Sequence, residues 1–238
     1  MNFQNIQNNK TSIILSTYNE ALVIENTLKL IFETLKNVEV IVVDDNSTDG
    51  TLEIINKFKN YNLKVYSRKE RGLASAFLLG LINSDGDNFG WLDSNMGHLI
   101  KKFPLMIENL KDNDIVILSR YVKEGKDQRS KMRVISSRIV NIFCQIYLSN
   151  KIKDYTSSIF IMKRSSLTNV VPIAYGHGEF FIEFLFRALN SGLKIKEIPF
   201  TQSPDIEELS KTASSYMRFF KLGIGYLVRI FITRFRKL

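Results

Sequence analysis

The run Val38–Val43 constrains this chain most. It is largely apolar, stops at two adjacent carboxylates, Asp44 and Asp45, and leads through Asn46-Ser47-Thr48-Asp49-Gly50-Thr51 into an amphipathic stretch, Leu52–Phe58. A buried parallel strand ending in acids, then a turn, then a helix, is where open α/β sheets place ligands. Helix capping by Asp49 or Thr51 and a turn at Asn46-Ser47 account for the second half of the segment. They do not account for two neighbouring carboxylates at a strand end, whose mutual repulsion needs an offset.

The surrounding pattern repeats this unit. Strands are expected at Ser12–Thr17, Val38–Val43, Leu63–Tyr66, Phe89–Leu92 and Ile115–Ser119, separated by helical stretches at 20–36, 52–58, 74–82 and 103–110. Alternation at this spacing predicts an α/β fold of parallel crossover units. Charged, aperiodic Lys123–Lys131 reads as a mobile loop. Helices at Val134–Leu148 and Phe180–Leu189 and a strand at Ile195–Pro199 follow, and polar Ser203–Ser210 separates this core from a terminal helix.

At 238 residues the chain suits one such domain with an appendage. Its single cysteine, Cys144, excludes a disulfide framework and reads as a buried small residue in a reducing compartment. Polar Met1–Lys10 has no signal-peptide character. The net charge of +9 is uneven: Leu209–Leu238 holds seven basic residues and no acid. Nucleic-acid readers spread cations over a docking surface, so no nucleic-acid partner is expected. On a helix, Arg218, Lys221, Arg229 and Arg236 fall within about 80° of one another, with Phe and Ile residues around most of the remaining circumference. The uncharged run Leu222–Val228 is too short to span a bilayer, so the expectation is a helix lying in the membrane interface, with a final helix packed on the domain, its basic stripe solvated, as the alternative.

The first strand ends in Thr17-Tyr18-Asn19-Glu20 without the glycines of a dinucleotide fold, which argues against a dehydrogenase. The third leads to Arg68-Lys69-Glu70-Arg71-Gly72, the fourth ends in Asp93-Ser94-Asn95 and the fifth in Ser119-Arg120-Tyr121. Carboxylates and an amide at strand ends, with arginines nearby, suit a nucleotide diphosphate bridged by Mg²⁺ or Mn²⁺, with Asp93 and Asn95 as the metal ligands.

Ser16-Thr17-Tyr18-Asn19-Glu20, Val43–Thr51 and Leu92-Asp93-Ser94-Asn95 resemble the family 2 glycosyltransferases of GT-A fold, most of all dolichyl- and polyprenyl-phosphate mannose synthases. Ser119-Arg120-Tyr121, Arg133–Arg138, Asp154–Ser158, Glu183 and Glu197-Ile198-Pro199 follow in the same order. The resemblance implies a Rossmann-like, mainly parallel sheet with helices on both faces over residues 1–208, to which the basic amphipathic C-terminal helix read above from the residues adds 209–238. Thr17, Tyr18, Glu20, Asp44 and Asp45 would line the nucleotide site, with Asp45 on the base. Asp93 and Asn95 would hold metal and diphosphate, and Arg120, Arg133, Ser137 and Lys211 the acceptor phosphate.

The implied activity moves mannose or glucose from a nucleotide-diphosphate sugar to a polyprenyl phosphate by direct, inverting displacement at the cytoplasmic membrane face. A small membrane subunit is a compatible partner. A phosphate acceptor is already an anion and needs no general base, whereas paired arginines would aim it. Two alternatives stay open. One is transfer to a saccharide or glycolipid hydroxyl, with Glu179 or Glu183 as base. The other is a catalytically silent relative, because Asn95 stands in the place of the family's second acid and Asp205 in that of an acceptor-loop arginine.

Overall fold

The computed structural model describes residues 9–173, 176, 178–204 and 216–236. Chain order is β1 (Thr11–Thr17), α1 (Ile24–Thr34), β2 (Val38–Asp44), α2 (Thr51–Asn56), β3 (Leu63–Ser67), α3 (Leu73–Ile82) and β4 (Asn88–Trp91). A 3-10 segment, Ser94–Lys102, runs into α4 (Phe103–Asn109), followed by β5 (Ile115–Ser119), β6 (Lys126–Asp127) and α5 (Lys131–Tyr147). The chain then forms β7 (Phe160–Lys163), α6 (Phe180–Asn190), β8 (Ile195–Pro199), β9 (Thr201–Gln202) and α7 (Tyr216–Phe235).

Seven strands form one sheet in the order β3-β2-β1-β4-β7-β5-β8. All its pairings are parallel except those of β7, which runs antiparallel between β4 and β5. Alternating side chains fill two layers. Ile13, Leu15, Val40 and Val42 pack with α1, α2 and α4, while Ile14, Phe89, Trp91 and Phe160 pack with α3 and α6. In the second layer Phe77 meets Trp91 edge-on at 4.9 Å and Phe160 at 5.5 Å between centroids. Such aromatic pairs add about 1 kcal/mol each beyond the area they bury. Cys144 is fully buried in this layer, as expected.

Two expectations change. Phe160–Lys163 was not legible as a strand: four residues without alternation carry no periodic signal. Lys123–Lys131 is not a mobile loop. It contains β6, which pairs with β9, and Lys126 N donates to Phe200 O at 3.0 Å while Gln128 N donates to Gln202 O at 3.0 Å.

The order β3-β2-β1-β4 places the reversal of winding between β1 and β4. Outside the carboxyl ends of those strands the flanking connections diverge to opposite faces and leave a crevice. The acid-bearing loops after β2 and β4 flank that point.

Candidate active site

The β1 and β2 loops are laced into one support. Asp44 is fully buried at the end of β2, and its carboxylate accepts from Thr17 Oγ1 at 2.8 Å, from Ser47 N at 2.8 Å and from Ser47 Oγ. Asn19 N donates to Ser47 Oγ at 2.9 Å and Thr48 N to Asn19 Oδ1 at 2.9 Å. Glu20 N and Ala21 N donate to Thr51 Oγ1 and Asp49 Oδ2 at 2.9 and 3.0 Å. Asn19 and Asn46 sit at φ 52° and 62°, and Gly50 before α2 at 92°, a left-handed conformation that glycine takes without strain. Thr17 and Asp44 therefore differ from the expectation that they line the nucleotide site: their polar groups are spent building the turn.

Asp45, the next residue, is also buried. Its backbone N is held by Thr17 O at 2.9 Å, and its carboxylate accepts from Arg68 Nε at 2.6 Å and Gly72 N at 3.0 Å. Arg68 continues to Ser75 Oγ at 2.9 Å and Gly72 O at 2.6 Å, which fixes the loop between β3 and α3 against β2. Opposite, the Arg71 guanidinium lies 3.6 Å over the Tyr18 ring and donates to its hydroxyl. Sequence reasoning placed Arg68 near the site but missed its pairing with Asp45, because 23 residues separate the two.

Asp93 follows β4 on the other side of β1, half-buried, with Asn95 exposed beyond it. Thr27 Oγ1 donates to Ser94 O at 2.7 Å and ties this loop to α1. Since β2 and β4 both pair with β1, their acidic ends stand roughly 10 Å apart, two strand spacings. Among the described residues no three His, Cys, Asp or Glu side chains cluster as a metal site. A divalent cation at Asp93 would therefore take its other oxygens from the Asn95 amide, a diphosphate and water. Hard cations that keep phosphate ligands accept this donor set, so the residues present fit Mg²⁺ or Mn²⁺.

The acceptor-side expectation needs correction at Arg120. This residue ends β5 and is almost fully buried; Nε and Nη2 grip Asp154 at 2.8 and 2.7 Å, and Nη2 also reaches Thr156 Oγ1 at 2.7 Å. Asp127 lies 3.8 Å from Nη1. Burial alone would weaken its hold on the proton, but the charge and hydrogen bonds of Asp154, with help from Asp127, keep it well above the ordinary arginine range. Arg120 is thus a strut already neutralised by carboxylates. Asp154 is held in turn by Glu197, whose carboxylate accepts Lys153 N at 2.7 Å and Asp154 N at 3.0 Å, and whose own pKa is raised by burial. Ser137 joins the cluster with Oγ 3.1 Å from Thr156 Oγ1, and half-buried Arg133 stands one helical turn earlier on α5. Arg129, inside the segment read as a loop, pairs with Asp127 at 2.9 and 2.6 Å and was not foreseen as part of this group. Lys211 and Asp205 lie outside the described residues.

The terminal helix also differs from expectation. Arg229 and Arg236 do not form an outward basic stripe; they reach inward to the two oxygens of buried Glu183 on α6, at 2.9 and 2.8 Å. Glu183 is thereby committed to holding α7 and is not poised as a base. No helix among the described residues is long and apolar enough to cross a membrane.

Comparison with known proteins agrees with this architecture. The chain is 35% identical over 202 residues to dolichol-phosphate mannosyltransferase of Pyrococcus furiosus, covering 81% of this chain but only 56% of that protein. It is 29% identical to dolichol-phosphate mannosyltransferase of Saccharomyces cerevisiae, covering 93% and 91% of the two chains. The fold superposes on glucosyl-3-phosphoglycerate synthase of Mycobacterium tuberculosis, solved with Mn²⁺, UDP and glucosyl-3-phosphoglycerate, with a TM-score of 0.72 at 17% identity, covering 98% of this chain and 84% of that one. The sequence profile of the glycosyl transferase family 2 matches residues 12–171, the stretch that carries both acidic strand ends and the Arg120–Asp154 cluster, and the chain belongs to that family.

Proposed function

We propose that the protein transfers a hexose, mannose or glucose, from a nucleotide-diphosphate sugar to a polyprenyl phosphate. The observation that carries this reading is the placement of Asp45 and Asp93 on either side of the β1/β4 switch point, with the Arg133–Ser137 face of α5 beside the end of β5. The mannosyltransferase relatives supply the substrate class. Asp45 and Tyr18 serve the base. Asp93 and Asn95 would hold Mg²⁺ or Mn²⁺, which would supply charge neutralisation to the departing diphosphate. Arg133 and Ser137, backed by the Arg120–Asp154 strut, orient the acceptor phosphate. Its oxygen forms the bond to the anomeric carbon as the bond to the nucleoside diphosphate breaks, and the configuration inverts. The acceptor is an anion at neutral pH, so no side chain needs to remove a proton.

The outward surface supports a membrane location. On α5, Ile135, Ile139, Ile142 and Ile146 are exposed, and on α7, Ile224, Val228, Phe231 and Phe235. Arg138 and Lys153 border the α5 face around a cavity of about 340 Å³. Apolar faces rimmed by cations suit the headgroup boundary of an anionic bilayer, where a polyprenyl phosphate lies. On this reading the protein is peripheral on the cytoplasmic face, with room for a small membrane subunit.

Incubation with radiolabelled nucleotide sugars, Mn²⁺ and polyprenyl phosphate tests the proposal. A labelled lipid is expected, and Asp93→Ala should remove it; no transfer across several donors and acceptors would reject it.

A further inference from the structure

The terminal helix follows the family-matched residues 12–171, yet it packs against the core beside Gly178. Its inward face is set by the Glu183 clamp on Arg229 and Arg236 and by burial of Ile230 and Thr233. Tyr226 lies one turn before Arg229 and packs into the α3/α6 layer of the core.

Its hydroxyl stops directly against Gly178, where an added Cβ would come within 2.5 Å of the phenol oxygen and 3.9 Å of Ser158 Oγ. Ser158 is held at φ 59° at the end of the segment that carries Asp154 and Thr156. Ser158 precedes Phe160, the antiparallel partner of Trp91, by two residues, so it stands opposite Asp93, two residues past Trp91, and the phenol meets this corner through Gly178. Burial, the largest influence, with Glu179 next, pushes its pKa above the ordinary tyrosine range, so it stays a neutral hydroxyl.

We propose that Tyr226 is a positioning residue of the transfer site. Its contact with Gly178 carries the docked state of α7 to the Gly178–Glu179 turn and the neighbouring Asp93 loop. The helix that faces the membrane would then govern how well the donor is held, so that a docked helix means a competent site. The inference rests on the donor site of the proposed function, but not on the identity of the acceptor.

The test uses the full chain and a pair of compensating substitutions. Gly178→Ala inserts a methyl where the phenol oxygen sits, and Tyr226→Phe removes that oxygen. Calorimetry with Mn²⁺ and GDP or UDP should show binding weakened about fivefold or more by Gly178→Ala, on the scale of one lost hydrogen bond. Trypsin should cleave α7 faster in that variant. The double variant should regain the affinity and protease resistance of Tyr226→Phe alone. Glu183→Gln, which loosens the clamp without touching the turn, should weaken binding with similar magnitude. Wild-type affinity in both Gly178→Ala and Glu183→Gln, or no recovery in the double variant, would overturn the proposal. Wild-type protein that binds nucleoside diphosphate but transfers no sugar would instead reject the transfer reading and leave this one standing.

Discussion

Arg120 and Asp154 form a buried two-point ion pair, with Nε and Nη2 at 2.8 and 2.7 Å from the two carboxylate oxygens. The pair joins the end of β5 to the Asp154–Ser158 segment and so fixes the floor on which Thr156, Ser137 and Arg133 stand. A guanidinium committed in this way supports the proposed phosphate site without having to bind the phosphate itself.

Arg120→Ala should accordingly cost on the order of 3–5 kcal/mol of stability, because it leaves the Asp154 carboxylate buried and uncompensated. Arg120→Lys should not restore it, since an ammonium cannot make the planar two-point contact. Urea denaturation measures both. A loss of transfer with unchanged stability in Arg120→Ala would instead mark Arg120 as a direct phosphate ligand.

Asn95 offers a carbonyl oxygen where an acid would add charge. Asn95→Asp should tighten Mn²⁺ in the presence of nucleoside diphosphate by about tenfold, because cation affinity follows the charge of the ligand set. Calorimetry at fixed nucleotide reads this. Unchanged affinity would mean that position 95 does not face the cation.

Asp127 supplies a pH signature. Burial opposes its charge, but the hydrogen bond and charge of Arg129, followed by Arg120, lower its pKa below the ordinary 3.8. A depressed folded value means that its stabilising contribution is complete above about pH 4 and disappears as the pH falls through the lower folded value. Asp127→Asn should flatten that part of the stability curve below about pH 4. Its neutral-pH stability should fall as well, since Arg129 loses its partner.

The exposed ridge of α5 makes membrane partition testable without touching the site. Ile135→Asp and Ile146→Asp should each lower partition onto anionic phosphatidylglycerol vesicles several-fold, with little change in melting temperature, because both side chains are mostly exposed. Equal partition of both variants would place the lipid contact elsewhere.

Much of the sheet layout was legible from the chain. Apolar strands ending in Asp44-Asp45 and in Asp93-Ser94-Asn95 put these two loops on one sheet edge, whatever the helices did. That Thr17 and Ser47 consume the Asp44 carboxylate was not legible, since Thr17 comes from another strand, 27 residues away. The Arg120–Asp154 cluster was hidden for a related reason: Arg120 meets Asp154 from 34 residues away, and Asp127 and Arg129 sit in a segment with no periodicity. On α7 the helical wheel showed a basic stripe but not its direction. Glu183, 46 residues from Arg229, draws Arg229 and Arg236 inward.

The central claim is that Asp45 and Asp93 grip opposite ends of one donor. A crystal structure with Mn²⁺ and the nucleoside diphosphate that binds most tightly tests this most directly. The base is expected within hydrogen-bond distance of Asp45 and the cation-bridged diphosphate at Asp93. Nucleotide bound elsewhere, or touching only one of the two acids, would contradict it.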